Sequence, residues 1–141
     1  MSLTPPQIRR YARHVLLHDV GGTGQRRLLD AAIAVPDASF GAGAALLYLA
    51  AAGVGTLVVG DRGVVSDADV GLVYLPGDVG RPRLEALAER LGEMTPDVRI
   101  VPEGPATHTL FVGAADPLTA LEAGSAAAGA LVRGIARGAS A

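Results

Sequence analysis

Asp61 closes a short run of β-branched and apolar residues at 56–59. It falls about twenty residues after the turn that ends an earlier apolar run, which is where an α/β domain places the carboxylate that takes the ribose hydroxyls of a nucleotide. An aspartate there serves equally as a strand-end turn residue. Asp116 follows another apolar run, at 110–112, and so falls on the carboxyl edge of a sheet, where α/β proteins put their ligands. Pro117 comes next, and Asp-Pro also opens a helix, with Asp as N-cap and Pro as first residue. Other chemistry is ruled out. The chain has no cysteine, hence no disulfide, thiolate zinc site or covalent thioester. His14, His18 and His108 lack metal-ligand spacing, and no Ser-His-Asp grouping can be read. No G-x-G-x-x-G follows the first apolar run, which ranks a dinucleotide dehydrogenase last.

The elements that must carry these residues can be read from periodicity and breakers. With 141 residues the chain makes one domain, with a real core but short for an α/β enzyme. Half of its residues are hydrophobic and 18% are charged, which is a globular and not a disordered profile. A net charge of -2 supplies no attraction to nucleic acid or to an anionic membrane. Arg9, Arg10 and Arg13 fall where a signal peptide needs an apolar stretch, and the apolar run at 42–54 is too short and Gly-interrupted to span a bilayer. The expected location is therefore the cytoplasm.

Thr4-Pro5-Pro6-Gln7 predicts a capping box opening a helix with Ile8, Tyr11, Ala12, Val15 and Leu16 on one face. A short helix at 23–29, a buried strand at 31–35 and a helix at 41–52 follow, with Gly53 ending the last as its C′ residue. A strand at 56–59 leads through a loop to an amphipathic helix at 81–94, striped by Leu84, Leu87, Ala88, Leu91 and Met94. Strands at 98–101 and 110–112, an Ala-rich helix at 117–128 and a last strand at 130–135 complete the reading. Such alternation predicts a Rossmann-like α/β domain over 31–141, mostly parallel with helices on both faces, after an N-terminal helical arm over 1–30.

Two stretches are more specific than this pattern. One runs from Arg10-Tyr11-Ala12-Arg13-His14 through Leu16-Leu17, Val20-Gly21-Gly22 and Gly24-Gln25 to Leu28-Leu29; the other is Tyr48-Leu49-Ala50-Ala51-Ala52-Gly53-Val54-Gly55-Thr56-Leu57, with Asp61 beyond. A weaker third is Asp78-Val79-Gly80-Arg81-Pro82-Arg83-Leu84-Glu85, ending in Thr95-Pro96-Asp97-Val98. In order and spacing they resemble the opening of the ThiF/MoeB/HesA family, over about residues 8–101 well and more loosely beyond. That resemblance implies ATP and magnesium in a Rossmann-like crevice, adenylation of the C-terminal glycine of a ubiquitin-like or sulfur-carrier protein, and a dimer.

The resemblance also assigns roles, and several of its parts are altered. Its phosphate turn has the pattern G-x-G-G-x-G, and the six matching residues are Asp37, Ala38, Ser39, Phe40, Gly41 and Ala42. None of the glycine positions is kept, and Pro36 removes a backbone donor just before them. Asp37 at ~4 Å from a phosphate charge would cost on the order of 4 kcal/mol, a loss of roughly a thousandfold in affinity. Gly41 and Gly43 allow a shifted turn, or simply let the helix pack close. Asp69 falls where the family has a phosphate-holding Asn, and Leu72 where it has an Arg. Arg83 corresponds to the family's phosphate-binding Lys, or is an Arg on a solvated helix face with Arg81, Glu85, Glu89 and Arg90. Arg13 matches an arginine that reaches across a dimer to the partner's ATP, or is a surface Arg on its helix. Asp116 matches an Asp serving the magnesium-bound phosphates. The family's C-terminal half, with its zinc-binding cysteine pairs, begins about where this chain ends, so exposed apolar surface is expected.

These losses favour a pseudoenzyme, an adenylyltransferase-like domain acting as the dimer-completing or partner-binding half of a homo- or hetero-dimer. The alternative is an active adenylyltransferase of a sulfur-carrier C-terminus, using Gly41, Gly43, Asp61, Arg83 and Asp116. A remnant with no role beyond its fold is the third reading.

Overall fold

The computed structural model describes residues 3–11, 21–112 and 117–138, with the side chains of 117–125 outside the description. The arm begins with helix α1, Pro5–Arg10, whose Thr4 and Gln7 form the expected reciprocal capping box. Helix α2, Gly21–Asp30, follows with one buried stripe of Gly24, Gln25, Leu28 and Leu29. The sheet consists of strands β1, Ala32–Ala34, β2, Thr56–Val58, β3, Arg99–Val101, and β4, His108–Thr109. Helix α3, Phe40–Ala51, joins β1 to β2, and α4, Arg83–Met94, precedes β3. The strands run in the order β3-β2-β1-β4 and all pairs are parallel. Chain order therefore reverses between β1 and β4, which makes their carboxyl ends the topological switch point.

The core is built by Leu28, Ile33, Val35, Leu46, Leu49, Val54, Leu57, Val59, Leu87 and Leu91. Helix α3 is apolar on nearly all sides because its neighbours cover it: it packs against α4 and against the last helix, α5, Pro117–Ala136. Its far end closes as anticipated. Gly53 has φ +90, its N–H donates to Ala50 O and Val54 N–H donates to Leu49 O, the paired bonds of a Schellman motif. A Cβ on Gly53 would sit 2.3 Å from Gln25 Nε2, and one on Gly55 only 1.8 Å from Leu29 O. Gln25, fully buried, donates to Ala52 O, so α2 is tied to this same end.

Helix α1 ends at Arg10, short of the Tyr11 expected on its face, and two strand expectations fail. The expected strand at 130–135 is the second half of α5, a 20-residue helix running past the predicted 117–128. Ala128, Val132, Ile135 and Ala136 are buried there, and that spacing is the period of a helix and not of a strand. The fourth strand lies at His108–Thr109 and not at 110–112. Ala32 O and Ala34 O accept from Thr107 and Leu110, so the next backbone donor of β1 towards β4 would be Pro36, which has no N–H. The ladder stops, and Leu110, Phe111 and Val112 lie beyond it. Among the described residues no helix is long and apolar enough to cross a membrane.

Candidate functional site

The switch point is framed by the exit of β1, the exit of β4 and the loop after β2. The backbone leaves β1 through Val35, Pro36 and Asp37 and turns into α3 at Ser39, its N-cap residue. Backbone N–H groups of such a turn and of a helix N-terminus are the donors from which an α/β domain makes an anion site. Here three of them are met by carboxylates. Ala38 N donates to Asp61 Oδ2 at 2.9 Å, Ser39 N to Asp37 Oδ1 at 2.9 Å, and Phe40 N to Asp69 Oδ1 at 3.2 Å. Ala42 N and Gly43 N donate to Ser39 O. Three carboxylates thus surround a turn that contains no glycine.

Arg83 joins two of them. Its Nη1 lies 3.1 Å from Asp61 Oδ2, while Nε and Nη2 lie 3.1 and 2.9 Å from Asp69 Oδ2. The Arg83 side chain is 20% exposed, that of Asp61 9% and that of Asp69 4%. The expectation of a solvated helix face is therefore wrong for Arg83, because its guanidinium turns into the sheet edge. Arg81 and Arg90 likewise hold the buried Asp78. Asp69 Oδ2 also accepts from Ser66 N and Ser66 Oγ, and Asp61 Oδ1 accepts from Gly63 N at 2.7 Å.

The electrostatics follow from this geometry. Burial pushes the Asp61 carboxyl up, but N–H bonds from Ala38 and Gly63 and the Arg83 charge outweigh it and hold it below the usual carboxylate range. Asp69 is likewise raised by burial and lowered more strongly by Ser66 N–H, by Arg83 and by Phe40 N–H. Burial raises the Tyr74 hydroxyl, which remains a donor and gives its proton to Ala38 O at 2.6 Å. That bond fixes the orientation of the Ala38–Ser39 peptide.

Of the residues expected to form a site, Asp61 and Arg83 are brought together. Gly41 and Gly43 lie inside α3 and outside the turn; a Cβ on Gly43 would meet Val73 and Leu72 at ordinary contact distance, so the packing there does not require glycine. Arg13 and Asp116 lie outside the described residues, as do His14 and His18. Sequence reasoning missed Ser66, Tyr74 and Gly63, and read Asp69 only as a lost Asn. A Cβ on Gly63 would lie 2.9 Å from Arg83 Nη1, so the short sequence Asp61-Arg62-Gly63 was the available signal. Next to the turn, Val35, Pro36, Asp37, Leu110, Phe111 and Val112 line a mostly apolar cleft of about 240 Å³, and Phe111 stands 76% exposed at its edge.

The N–H groups of Ala38, Ser39 and Phe40 each donate to a carboxylate and Arg83 is paired with Asp61 and Asp69, so a triphosphate would have to displace these bonds and would meet three carboxylates. Among the described residues no three His, Asp or Glu side chains gather to hold a metal ion.

The other specific contact ties the arm to the domain. Tyr11 Oη donates to Asp97 Oδ2 at 2.8 Å, Arg10 pairs with the same carboxylate, and Gln7 reaches its other oxygen. Arg10-Tyr11 and Thr95-Pro96-Asp97, far apart in the chain, meet in space.

A parallel sheet ordered β3-β2-β1-β4 with carboxylates at the exits of β1 and β2 defines a Rossmann-like domain. The chain belongs to the ThiF family, whose model matches residues 11–109. It is 39% identical over 104 residues to the SAMP-activating enzyme E1 of Haloferax volcanii, covering 72% of this chain and 38% of that enzyme. It is 36% identical over 93 residues to the Escherichia coli sulfur carrier protein ThiS adenylyltransferase, covering 64% of this chain and 37% of that enzyme. The chain thus spans about two-fifths of the length of these relatives. Among solved structures, E. coli tRNA N6-threonylcarbamoyladenosine dehydratase TcdA superposes with a TM-score of 0.70 at 19% identity, over 86% of this chain and 57% of that one. TcdA has also been solved in complex with ATP. E. coli MccB superposes with a TM-score of 0.75 at 12% identity, over 91% of this chain and 64% of that one. Likenesses at such identity speak to the fold alone.

Proposed function

We propose that this chain is a ThiF-family pseudoenzyme, a domain that does not turn over ATP and acts as the dimer-completing or partner-binding half of an adenylyltransferase assembly in the cytoplasm. The observation that carries this reading is the turn after β1, where Asp61, Asp37 and Asp69 take the three N–H donors of Ala38, Ser39 and Phe40. The partner is a ubiquitin-like or sulfur-carrier protein or the subunit that adenylates it, in line with what the relatives' names say they activate. Arg13 is the residue proposed to reach a partner's nucleotide; Arg13→Ala should depress the partner's adenylation while leaving this chain folded.

The test is calorimetry of the folded protein with magnesium-ATP. No heat of binding at millimolar nucleotide is the expected result. Binding that disappears in Asp61→Ala would overturn the proposal in favour of an active adenylyltransferase. That second reading draws on the 39% identity to a named activating enzyme and on Asp61 at the exit of β2, where a ribose would lie. It predicts ATP–pyrophosphate exchange in the presence of a carrier protein.

A further inference from the structure

The N-terminus of α3 is capped from an unusual distance. Its own N-cap residue, Ser39, makes no side-chain cap bond to the helix; the Ser39 hydroxyl donates instead to Asp37. The free N–H of Phe40 is met by Asp69, 29 residues further along the chain. One oxygen of that carboxylate takes the helix N–H. The other takes the N–H and hydroxyl of Ser66 and two nitrogens of Arg83. Helix N–H, loop N–H, hydroxyl and guanidinium are the donor types that hold a phosphate at a helix N-terminus. With 4% of its side chain exposed, Asp69 has given up water for them, as a bound anion does.

We propose that Asp69 stands in for a phosphate: its carboxylate occupies the anion position between the α3 N-terminus and Arg83, holds the turn closed without a ligand, and sets the site against polyphosphates. The inference rests on the preceding reading and names the residue responsible for it. Arg83 is the second half of the device, since Nη1 is taken by Asp61 and Nε and Nη2 by Asp69, so both carboxylates compete with an incoming anion for it. Gly63 leaves room for this bridge, because a Cβ there would press on Arg83 Nη1 and Asp61 Oδ1.

The experiment compares wild type with Asp69→Asn, which keeps the shape and removes the charge, using sodium tripolyphosphate at constant ionic strength. Thermal shift and equilibrium dialysis read the binding. Wild type should show no shift. Asp69→Asn should gain at least about tenfold in affinity, the lower end of what removing a like charge at contact distance releases. Adding Arg83→Gln to Asp69→Asn should abolish the gain. A folded Asp69→Asn that ignores tripolyphosphate, beside a wild type that ignores it too, overturns the surrogate and leaves the pseudoenzyme reading standing. Wild-type binding as tight as the variant's overturns both. Should Asp69→Asn not fold, Asp69→Ser takes its place. The wild type also supplies an independent readout, the Phe40 amide resonance, which must move as the Asp69 carboxyl titrates. A Phe40 amide indifferent to pH overturns the proposal.

Discussion

The two ends of α3 solve the same problem in opposite ways. At its C-terminal end, orphan carbonyls are closed by backbone: Gly53 adopts φ +90, its N–H donates to Ala50 O and that of Val54 to Leu49 O. At its N-terminal end side chains close the backbone instead: Asp69 takes the first helix N–H, at Phe40, while Asp61 and Asp37 take those of Ala38 and Ser39 in the turn before it. Glycine stands where this chain's own packing needs it, since Gly53 and Gly55 leave no space for a methyl group. It is missing where only a bound phosphate would need bare backbone. The contrast separates what the fold requires from what a bound phosphate would require.

The comparison breaks first, and most severely, at Gly55. A methyl group there lies 1.8 Å from Leu29 O, a backbone atom that cannot swing aside. Gly55→Ala should cost about 4–5 kcal/mol, the top of the range for point substitutions, or abolish folding; urea denaturation measures it, and a near-neutral result would remove the packing argument. Next comes Arg83→Ala, which leaves Asp61 and Asp69 buried without their cation. A loss of about 3 kcal/mol is expected, read by the same denaturation. Should the variant be as stable as wild type, the N-terminal cluster would not hold the turn.

Acid should weaken the N-terminal end selectively. The folded carboxyls of Asp61 and Asp69 lie below their ordinary value, so the stability they contribute is fully present above about pH 4. It is lost as pH falls through the depressed folded values, because the unfolded chain then binds more protons than the folded one. The acid limb of a stability–pH curve should flatten in Asp61→Asn, and an unchanged limb would contradict the ion-pair network. The smallest effect belongs to Gly43→Ala. Its Cβ meets Val73 and Leu72 at ordinary distance in a helix, so the change should be neutral or stabilising by about 0.5–1 kcal/mol. Damage comparable to Gly55→Ala would erase the distinction between the two ends.

Much of the fold was legible because its signals are local. Thr4 with Gln7, Gly53 after an apolar helix, and the stripe Leu84-Leu87-Leu91 each act within a few residues; α3 and α4 formed within a residue or two of their expected places, whereas α1 opens at its expected cap but ends at Arg10, short of the Tyr11 expected on its face. The misread strand at 130–135 failed for a local reason as well: a short Ala-rich apolar run looks alike in both structures until its buried partners are known. The displaced β4 depended on Pro36, just beyond the end of the neighbouring strand β1.

The candidate site divides along the same line. The sequence by itself determined that the glycine turn is absent, that Asp37 and Asp69 bring charge to it and that no thiol chemistry is possible. It also determined the family, through motifs whose order and spacing a linear reading can count. Only the tertiary structure decided that Arg83 turns inward and that Asp69 caps a helix starting 29 residues earlier. Likewise only the fold brings Tyr11 onto Asp97. The Arg83 and Asp69 contacts depend on how the loop after β2 folds back over the sheet edge, and the Tyr11 contact on how the N-terminal arm meets the segment before β3. Their energies arise from removing charges from water, and burial is a property that no stretch of sequence carries alone.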